Sequence, residues 1–313
     1  MVRSRAVSAI RHIACPLATS SWFATGEWER TVEVWSTSGR SRVSSFETML
    51  DPGGRRLAAV GESSPVVVSG AYHRYGIGGY DAATGEVLWQ RNDLKRVQSL
   101  DPLPERRVAA GFDERSLHVL DGDTGETLAK IRAIEHLYAR SDRPFAIGVG
   151  RSGAAWFGLY DLESIKRIWK EELSSFTILH AALGPQSVAV AEVGGAVRCL
   201  DLDGIERWRW SPPGGEHVER LSWNESHGLF CGVLRPYETK RSPAALVTFD
   251  ERGEIAAAAE IAEAMEYEFT SDGNALVVST LDAERQSEGV VLRAPSGESV
   301  WHFRDRVPLN AET

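Results

Sequence analysis

The side chains best suited to bind a metal ion or to catalyse a reaction are dispersed along this sequence of 313 residues. Its histidines form neither an HxH nor an HExxH pattern; they are His12, His73, His118, His136, His180, His217, His227 and His302. Zinc sites usually show closely spaced His and Cys ligands in patterns of this kind. The sequence therefore predicts no metal site, and it predicts a packed or solvated side chain for His118.

Catalytic nucleophiles and phosphate-binding loops also lack their sequence signatures. No GxSxG motif is present, and the stretch GRSG at 150–153 has the wrong spacing for one. The stretch YGIGGY at 75–80 matches neither GxGxxG nor GxxxxGKS/T, so its glycines indicate a close approach within a strand. The neighbouring carboxylates Glu171 and Glu172 fit a solvated loop. We therefore predict no catalytic residue.

The composition is that of a globular protein, with 42% hydrophobic residues and a formal net charge of -9. This charge disfavours nucleic acid as the partner, because phosphate binding needs a concentrated basic surface. The cysteines Cys15, Cys199 and Cys231 are widely spaced and form no CxxC or disulfide pattern, which indicates a reducing compartment. Arg11 and His12 interrupt the apolar start, and no window of about 18 apolar residues exists. We expect a cytoplasmic protein that contacts no membrane.

A turn with a central glycine recurs along the whole chain. It reads YDAATGEVLW at 80–89 and LDGDTGETL at 120–128. The turn positions are Gly39, Gly85, Gly125, Ile165, Gly204, Gly253 and Gly297. Their separations are 46, 40, 40, 39, 49 and 44 residues, so about seven units of 43 residues nearly fill the chain. Such a period indicates a repeat architecture.

Each unit contains short apolar runs that predict four strands, here called a to d. Strand c precedes the glycine turn and strand d follows it, often with an aromatic residue, as at 86–89 and 299–301. Strand b is assigned to the small and β-branched runs at 57–60, 108–111, 187–190 and 275–278. Asp at the start of the c–d turn can accept backbone N–H groups, and glycine supplies the positive φ that closes it. This pattern predicts an all-β protein.

These units resemble the repeats of WD40 and quinoprotein β-propellers. TVEVWSTSG at 31–39 is similar to a WD40 strand and turn, with Ser36 in place of the usual Asp, and YDAATGEVLW resembles the tryptophan-docking repeat of quinoproteins. The resemblance implies one seven-bladed β-propeller domain over residues 1–313, built from four-stranded antiparallel blades. The expected blade ends lie near residues 46, 90, 131, 170, 210, 258 and 303, with a frayed tail at 304–313.

The resemblance does not extend to quinone chemistry. The catalytic members of the quinoprotein family are eight-bladed, exported enzymes with bound calcium and adjacent cysteines. This chain has seven units and separated cysteines. We therefore expect no cofactor. The tryptophans Trp89, Trp169, Trp208 and Trp301 are interpreted as packing groups between neighbouring blades.

Function in a propeller is expected in the loops. The b–c connections are assigned as short at 112–116, 150–153 and 192–195, and as long at 62–74, 234–243 and 281–288, with 27–30 in the first blade. Blades 6, 7, 1 and 2 are consecutive, so their loops would form a crescent on one face. The predicted binding residues are Trp28, Tyr72, His73, Arg74, Arg235, Tyr237, Lys240 and Arg241. Aromatic and Arg side chains often anchor interfaces.

Three functions remain open at this point. The preferred hypothesis is a non-catalytic module or scaffold, monomeric on its own, that binds another protein or an acidic peptide segment through the crescent. The second is a hydrolase or lactonase that uses a divalent cation in the central channel. The third is an immunity-type partner that neutralises a bacterial toxin.

Overall fold

The protein is described by a computed structural model that covers residues 10–27, 31–48, 56–71, 76–112, 116–152, 154–173, 178–193, 195–212, 214–236, 244–261, 264–281 and 286–308. These residues form 28 β-strands and no helix. The strands build seven four-stranded antiparallel sheets, each made from consecutive strands of the chain. The predicted all-β, seven-bladed propeller is confirmed.

The strands of blades 1 to 4 have the following bounds. Blade 1 contains β1 Ile10–Ala14, β2 Trp22–Glu27, β3 Thr31–Ser36 and β4 Ser41–Glu47. Blade 2 contains β5 Arg56–Val60, β6 Val66–Gly70, β7 Ile77–Asp81 and β8 Val87–Arg91. Blade 3 contains β9 Val97–Leu103, β10 Arg107–Phe112, β11 Ser116–Asp121 and β12 Thr127–Arg132. Blade 4 contains β13 His136–Ala139, β14 Phe145–Ser152, β15 Ala154–Asp161 and β16 Lys166–Glu172.

Blades 5 to 7 complete the ring. Blade 5 contains β17 Ile178–Leu183, β18 Ser187–Glu192, β19 Val197–Asp201 and β20 Glu206–Trp210. Blade 6 contains β21 Glu216–Asn224, β22 Leu229–Pro236, β23 Ala244–Phe249 and β24 Ile255–Ile261. Blade 7 contains β25 Ala264–Phe269, β26 Ala275–Leu281, β27 Gln286–Arg293 and β28 Ser299–Pro308. The a strand of each blade contacts the a strand of a neighbouring blade, so these strands surround the centre.

The hydrophobic core is divided among the interfaces between blades. Each of seven buried clusters combines residues of two adjacent sheets. The interface between blades 7 and 1 is aromatic: the ring centroids of Phe23 and Phe303 are 4.9 Å apart, and those of Trp35 and Phe303 are 5.2 Å apart. Burial of such large rings is among the strongest apolar contributions to stability. Side-chain packing therefore closes the ring between the first and last sheets.

The repeated turn explains how the blades attach to one another. In blade 2 the Asp81 carboxylate accepts hydrogen bonds from the backbone N–H groups of Ala83 and Thr84, at 3.0 and 2.8 Å. Gly85 closes this turn with a φ of 76°. Trp89 of the same blade packs on the next one, where its Nε1–H donates to the Gly122 carbonyl at 2.8 Å. The predicted packing role of the strand-d tryptophans is confirmed there.

Two details of the strand assignment were wrong. The run at 57–60 belongs to the a strand β5, and the b strand of blade 2 is β6, which the sequence analysis had placed inside a loop. Both runs are short and apolar, so their composition does not distinguish an inner strand from the next one. The last strand also continues through residues 304–308, where fraying was expected, because Val307 and Pro308 pair with β27 at Ser287 and Gln286.

Candidate functional site

Most of the predicted crescent lies outside the described residues. This applies to Trp28, Tyr72, His73, Arg74, Tyr237, Lys240 and Arg241. Their role in binding stays a prediction.

The bounds of the three predicted long loops differ from the observed connections. The segment 62–74 contains strand β6, so the b–c connection of blade 2 spans only 71–76. In blade 7, β26 ends at Leu281 and β27 begins at Gln286, which shortens the connection to 282–285. The blade 6 connection spans 237–243, since β22 continues to Pro236. The long connections therefore belong to blades 2 and 6.

Arg235 was expected on the exposed loop face, and this prediction was wrong. Strand β22 carries it into the interface between blades 6 and 7, where the residue is only 5% exposed. Its guanidinium carbon lies 5.3 Å from the centre of the Tyr267 ring, and its Nε lies 3.5 Å from a Glu219 oxygen. The Tyr267 hydroxyl donates to the same Glu219 carboxylate. Arg235 therefore fixes the strand that leads into the 237–243 connection.

The a strands bring polar side chains together at the centre of the ring. They line a cavity of about 340 Å³; the lining includes His12, Arg56, Gln98, Asp101, His136, Tyr138, His180, Arg220, Glu266 and Glu268. Half of these residues come from the first half of their strands, and His12 and Arg220 lie at the middle of theirs. Because successive strands alternate in direction, this end of the channel lies on the face that carries the b–c connections. We call it the polar channel end and that face the b–c face.

β-Bulges place several of these side chains. The register shifts between Ile10 and His12, between Ile178 and His180, between Val218 and Arg220, and between Ala264 and Glu266. A bulge bends its strand and redirects the side chains beside it. The same irregularity in four a strands thus precedes a polar residue of the channel lining each time.

An Asp–His pair anchors one side of the polar channel end. Asp101 Oδ2 lies 3.1 Å from His136 Nδ1 and also accepts the Leu137 N–H at 3.3 Å. Burial disfavours the charged imidazole, but the Asp101 carboxylate outweighs this effect, so the pKa of His136 is raised. His136 can therefore present a charged N–H group to the channel.

The pKa of His180 is shifted in the opposite direction from that of His136. Burial, with Arg220 and His136 close by, holds its pKa well below the ordinary value. The Leu221 N–H donates to His180 Nδ1 at 3.2 Å, so this nitrogen carries no proton. The neutral ring must then carry its proton on Nε2, which is a hydrogen-bond donor. The ring lies against Tyr138, with centroids 4.4 Å apart.

Two arginines add strong donors to the same space. Arg220 Nε lies 3.7 Å from a Glu268 oxygen, beyond hydrogen-bond distance, and this buried atom has no acceptor among the described residues. Arg56 is exposed in the channel lining, and its Nε donates to the Gln98 carbonyl. The polar channel end thus offers guanidinium and imidazole donors to an incoming oxygen ligand.

The other end of the channel is less polar, and ion pairs and hydrogen bonds join the loops around it. Its lining includes Ala14, Leu17, Ala182, Trp223 and Phe269. On this face Arg140 of blade 4 forms ion pairs with Asp142, at 2.8 Å, and with Glu225 of blade 6. Asn224 Nδ2 donates to the Gly273 carbonyl of blade 7 at 2.8 Å. These bonds link the a–b connections of separate blades.

The channel residues were not among the predicted site residues, although the sequence contains a signal for them. A polar residue recurs at His12, Arg56, Gln98, His136, His180, Arg220 and Glu266. Their separations are 44, 42, 38, 44, 40 and 46 residues, close to the repeat period. A polar residue at the same place in every a strand would have indicated a polar channel.

The described residues show neither a metal-binding cluster nor a membrane-spanning helix. Within the described ranges, no group of three or more His, Cys, Asp and Glu side chains is arranged to hold a metal ion. No helix in the same ranges has the length and hydrophobicity that a membrane crossing requires.

Comparison with known proteins identifies the fold. The sequence matches no known protein family and no curated protein. Its fold is similar to that of BamB from Moraxella catarrhalis, with a TM-score of 0.58 and 15% identity over 87% of this chain and 83% of that one. Similarity extends to 1629 chains of solved structures, so it defines an architecture shared by many proteins. The chain has the fold of a seven-bladed β-propeller.

Proposed function

We propose that the protein is a non-catalytic binding module that holds an acidic segment of another protein on its b–c face. A propeller of this kind fits a protein-binding scaffold in general. The observation that supports an acidic ligand is the set of unused donors at the polar channel end. They are the Arg220 Nε–H, the two terminal nitrogens of the exposed Arg56 guanidinium, whose Nε–H already donates to the Gln98 carbonyl, and the Nε2–H of His180.

A carboxylate is the ligand group that these donors suit best. Guanidinium and carboxylate groups form short, charge-assisted hydrogen bonds, often in pairs. The channel also contains the carboxylates of Asp101, Glu266 and Glu268. Asp101 is held by His136, Glu268 lies beside Arg220, and Glu266 is close enough to Arg56 and Arg220 to act on their charges, but none of them accepts a hydrogen bond from the Arg220 Nε–H. A Glu or Asp side chain, or a chain terminus, could therefore enter the polar channel end and bond to Arg56, Arg220 and His180.

The predicted loop residues complete this proposed surface. The connections 71–76 and 237–243 follow the ends of β6 and β22, and they contain Tyr72, His73, Arg74, Tyr237, Lys240 and Arg241. Together with Trp28, these aromatic and basic side chains would contact the segment around the inserted carboxylate. In this proposal the protein acts as a cytoplasmic monomer, without a cofactor, a nucleic acid or a membrane as its partner.

The proposal is tested with a short synthetic ligand. We expect the peptide acetyl-Gly-Glu-Gly-amide to shift the NMR signals of the His136 and His180 rings in a saturable way. The Gln version of the peptide, which has no charge, should leave them unchanged. Arg56→Gln together with Arg220→Gln should abolish the shift, whereas the exposed outer-strand control Arg132→Gln should preserve it. Equal shifts from the Glu and Gln peptides would contradict the proposal.

A further inference from the structure

One residue position of the outer strand d packs on the next blade. Each c–d strand pair has a β-bulge near its turn, and this position is the first residue of strand d that pairs with strand c beyond that bulge. Trp89 pairs there with Gly79, Trp169 with Leu159, and Trp208 with Cys199. In blade 6 the same position is Ala257, which pairs with Thr248. Blade 6 therefore lacks the large ring that these blades place against their neighbours.

The glycine turns show the consequence. A Cβ atom added to Gly125 would lie 2.4 Å from the Trp89 ring, and one added to Gly253 would lie 2.5 Å from the Trp208 ring. One added to Gly297 of blade 7 would meet only the Ala259 methyl at 2.9 Å and the Glu260 carbonyl oxygen at 3.8 Å, among the described residues. No aromatic ring of the described chain covers this turn.

Other blades compensate for a small residue at this position. In blade 3 it is Ala129, and the turn of blade 4 carries Ile165 in place of glycine; both side chains pack against the same core cluster. In blade 1 it is Ser44, but Phe46 lies over Gly85, 2.4 Å from an added Cβ. Between blades 6 and 7 both partners are small. We call this place, formed by Ala257, Ala259 and Gly297, the rim notch.

The strand beside the rim notch is open to pairing. Strand β24 is the outer edge of blade 6, and its residues Ile255, Ala256, Ala257 and Ala258 are exposed. It contains no Lys, Arg or Pro, whereas the outer strands β4, β8, β12, β16, β20 and β28 each carry at least one Arg or Lys. Charged side chains and Pro are what normally protect an edge strand from pairing with another chain. Edge strand β24 carries only one charged side chain, Glu260 near its end, so its segment 255–259 lacks this protection.

We propose that an extended segment of a partner protein pairs with β24 and places an aromatic side chain in the rim notch. The backbone of β24 would supply hydrogen bonds, and the notch would select the side chain, as in other cases of strand addition. The exposed carboxylates of Glu254 and Glu260 lie just before and near the end of the strand, so they favour basic residues on both sides of the aromatic one. The proposal rests on the proposed function only in taking the partner to be a protein.

The chain itself supplies a suitable probe. The sequence KRIWK at 166–170 is an outer strand with a docked tryptophan and basic neighbours. We expect the acetylated and amidated KRIWK peptide, titrated into the isotopically labelled full-length protein, to shift the amide signals of Ala257, Ala259 and Gly297 in a saturable way. The KRIAK peptide should bind at least tenfold more weakly, because it cannot fill the notch.

Two variants of the protein make the test specific. Ala257→Trp fills the rim notch from within the chain and should abolish peptide binding, whereas Ala258→Trp places an indole on the opposite face of the same strand and should preserve it. Equal binding of KRIWK and KRIAK, or binding that survives Ala257→Trp, would overturn the proposal. Self-association that Ala257→Trp removes would identify a second copy as the occupant and would also overturn it. The Arg56→Gln variant should bind KRIWK normally. Failure of the rim-notch proposal can therefore be distinguished from failure of the proposed channel site.

Discussion

The indole of Trp89 covers Gly125 of the neighbouring blade and donates from Nε1 to the Gly122 carbonyl at 2.8 Å. The same geometry recurs where Trp169 donates to the Leu202 carbonyl at 2.8 Å and lies over Gly204. Because Gly125 has a φ of 71° and is covered by the ring, a side chain would be both strained and obstructed there. This pairing of an indole with a glycine turn joins consecutive blades.

Removal of the Trp89 indole should therefore destabilise the whole propeller. We expect Trp89→Ala to lower the free energy of unfolding by about 3–5 kcal/mol, as is usual for a buried aromatic residue. Urea unfolding followed by circular dichroism measures this. The neighbouring Leu88 is 46% exposed, so Leu88→Ala is the matched control and should cost less than about 1 kcal/mol. Similar losses for the two variants would show that the docked indole has no special role.

The Asp81 turn should have a characteristic pH dependence. The Thr84 N–H is the main cause of the lowered Asp81 pKa, and the Thr84 hydroxyl and the Ala83 N–H act in the same direction. A lowered pKa means that the ionised group stabilises the fold above its unfolded value of about 3.9, and that this contribution is lost as the pH falls through the folded value. Asp81→Ala should cost about 1 kcal/mol near pH 7.

The measurement for Asp81 is urea unfolding at several pH values. The cost of Asp81→Ala should shrink below about pH 4, because the native protein then loses the same hydrogen bonds to its carboxylate. A cost that stays constant down to pH 3 would show that the charge of Asp81 is not involved.

Part of this architecture could be predicted from the sequence alone. Five of the turn glycines, Gly85, Gly125, Gly204, Gly253 and Gly297, recur because their c–d turns need a positive φ at that place, so their period reports the number of blades. In blade 1 the positive φ belongs to Arg40, one residue after Gly39. The run at 57–60 shows the limit of this reasoning. Strands β5 and β6 are both short and buried, and hydrophobic composition does not reveal which of them lies at the centre.

Asp101 should control the charge of His136. A raised pKa means that the charged His136 stabilises the fold below its unfolded pKa of about 6.5, and that this contribution is lost as the pH rises through the folded pKa. We expect Asp101→Asn to lower the pKa of His136 below its ordinary value, since burial remains and the carboxylate is gone. NMR titration of the imidazole ring measures this change directly.

The stability of the same variant provides a second readout. The difference in unfolding free energy between the native protein and Asp101→Asn should be larger near pH 5.5 than near pH 8.5. A part of the loss should persist at high pH, because Asp101 also accepts the Leu137 N–H. An unchanged His136 pKa in the variant would contradict the assigned pair.

Arg235 should act as a structural residue of the interface between blades 6 and 7. We expect Arg235→Ala to cost about 2–3 kcal/mol in urea unfolding, because it removes the buried guanidinium that lies beside Glu219 and over the Tyr267 ring. Arg209→Ala is the matched control, since Arg209 also pairs with a glutamate, Glu206 at 3.0 Å, but its side chain is 53% exposed. Its loss should stay below about 0.5 kcal/mol. Equal losses for the two variants would contradict a structural role of Arg235 in this interface.

The candidate site was harder to predict than the fold. Arginine is a residue type that often anchors interfaces, so Arg235 was predicted as exposed. It is buried because β22 continues to Pro236, and the sequence does not show where this strand ends. Arg56 and Arg220 are far apart in the chain and meet only because every a strand faces the same channel. Their proximity depends on closure of the ring, which no local motif encodes.

Affinity capture from the native host, quantified by mass spectrometry, tests the central claim most directly. The full-length protein should retain a partner with an exposed acidic segment. Arg56→Gln with Arg220→Gln, or Tyr237→Ala with Lys240→Ala and Arg241→Ala, should reduce its capture at least tenfold, whereas Arg132→Gln should preserve it. Capture of the same proteins in equal amounts by all of these variants would contradict a binding site on the b–c face.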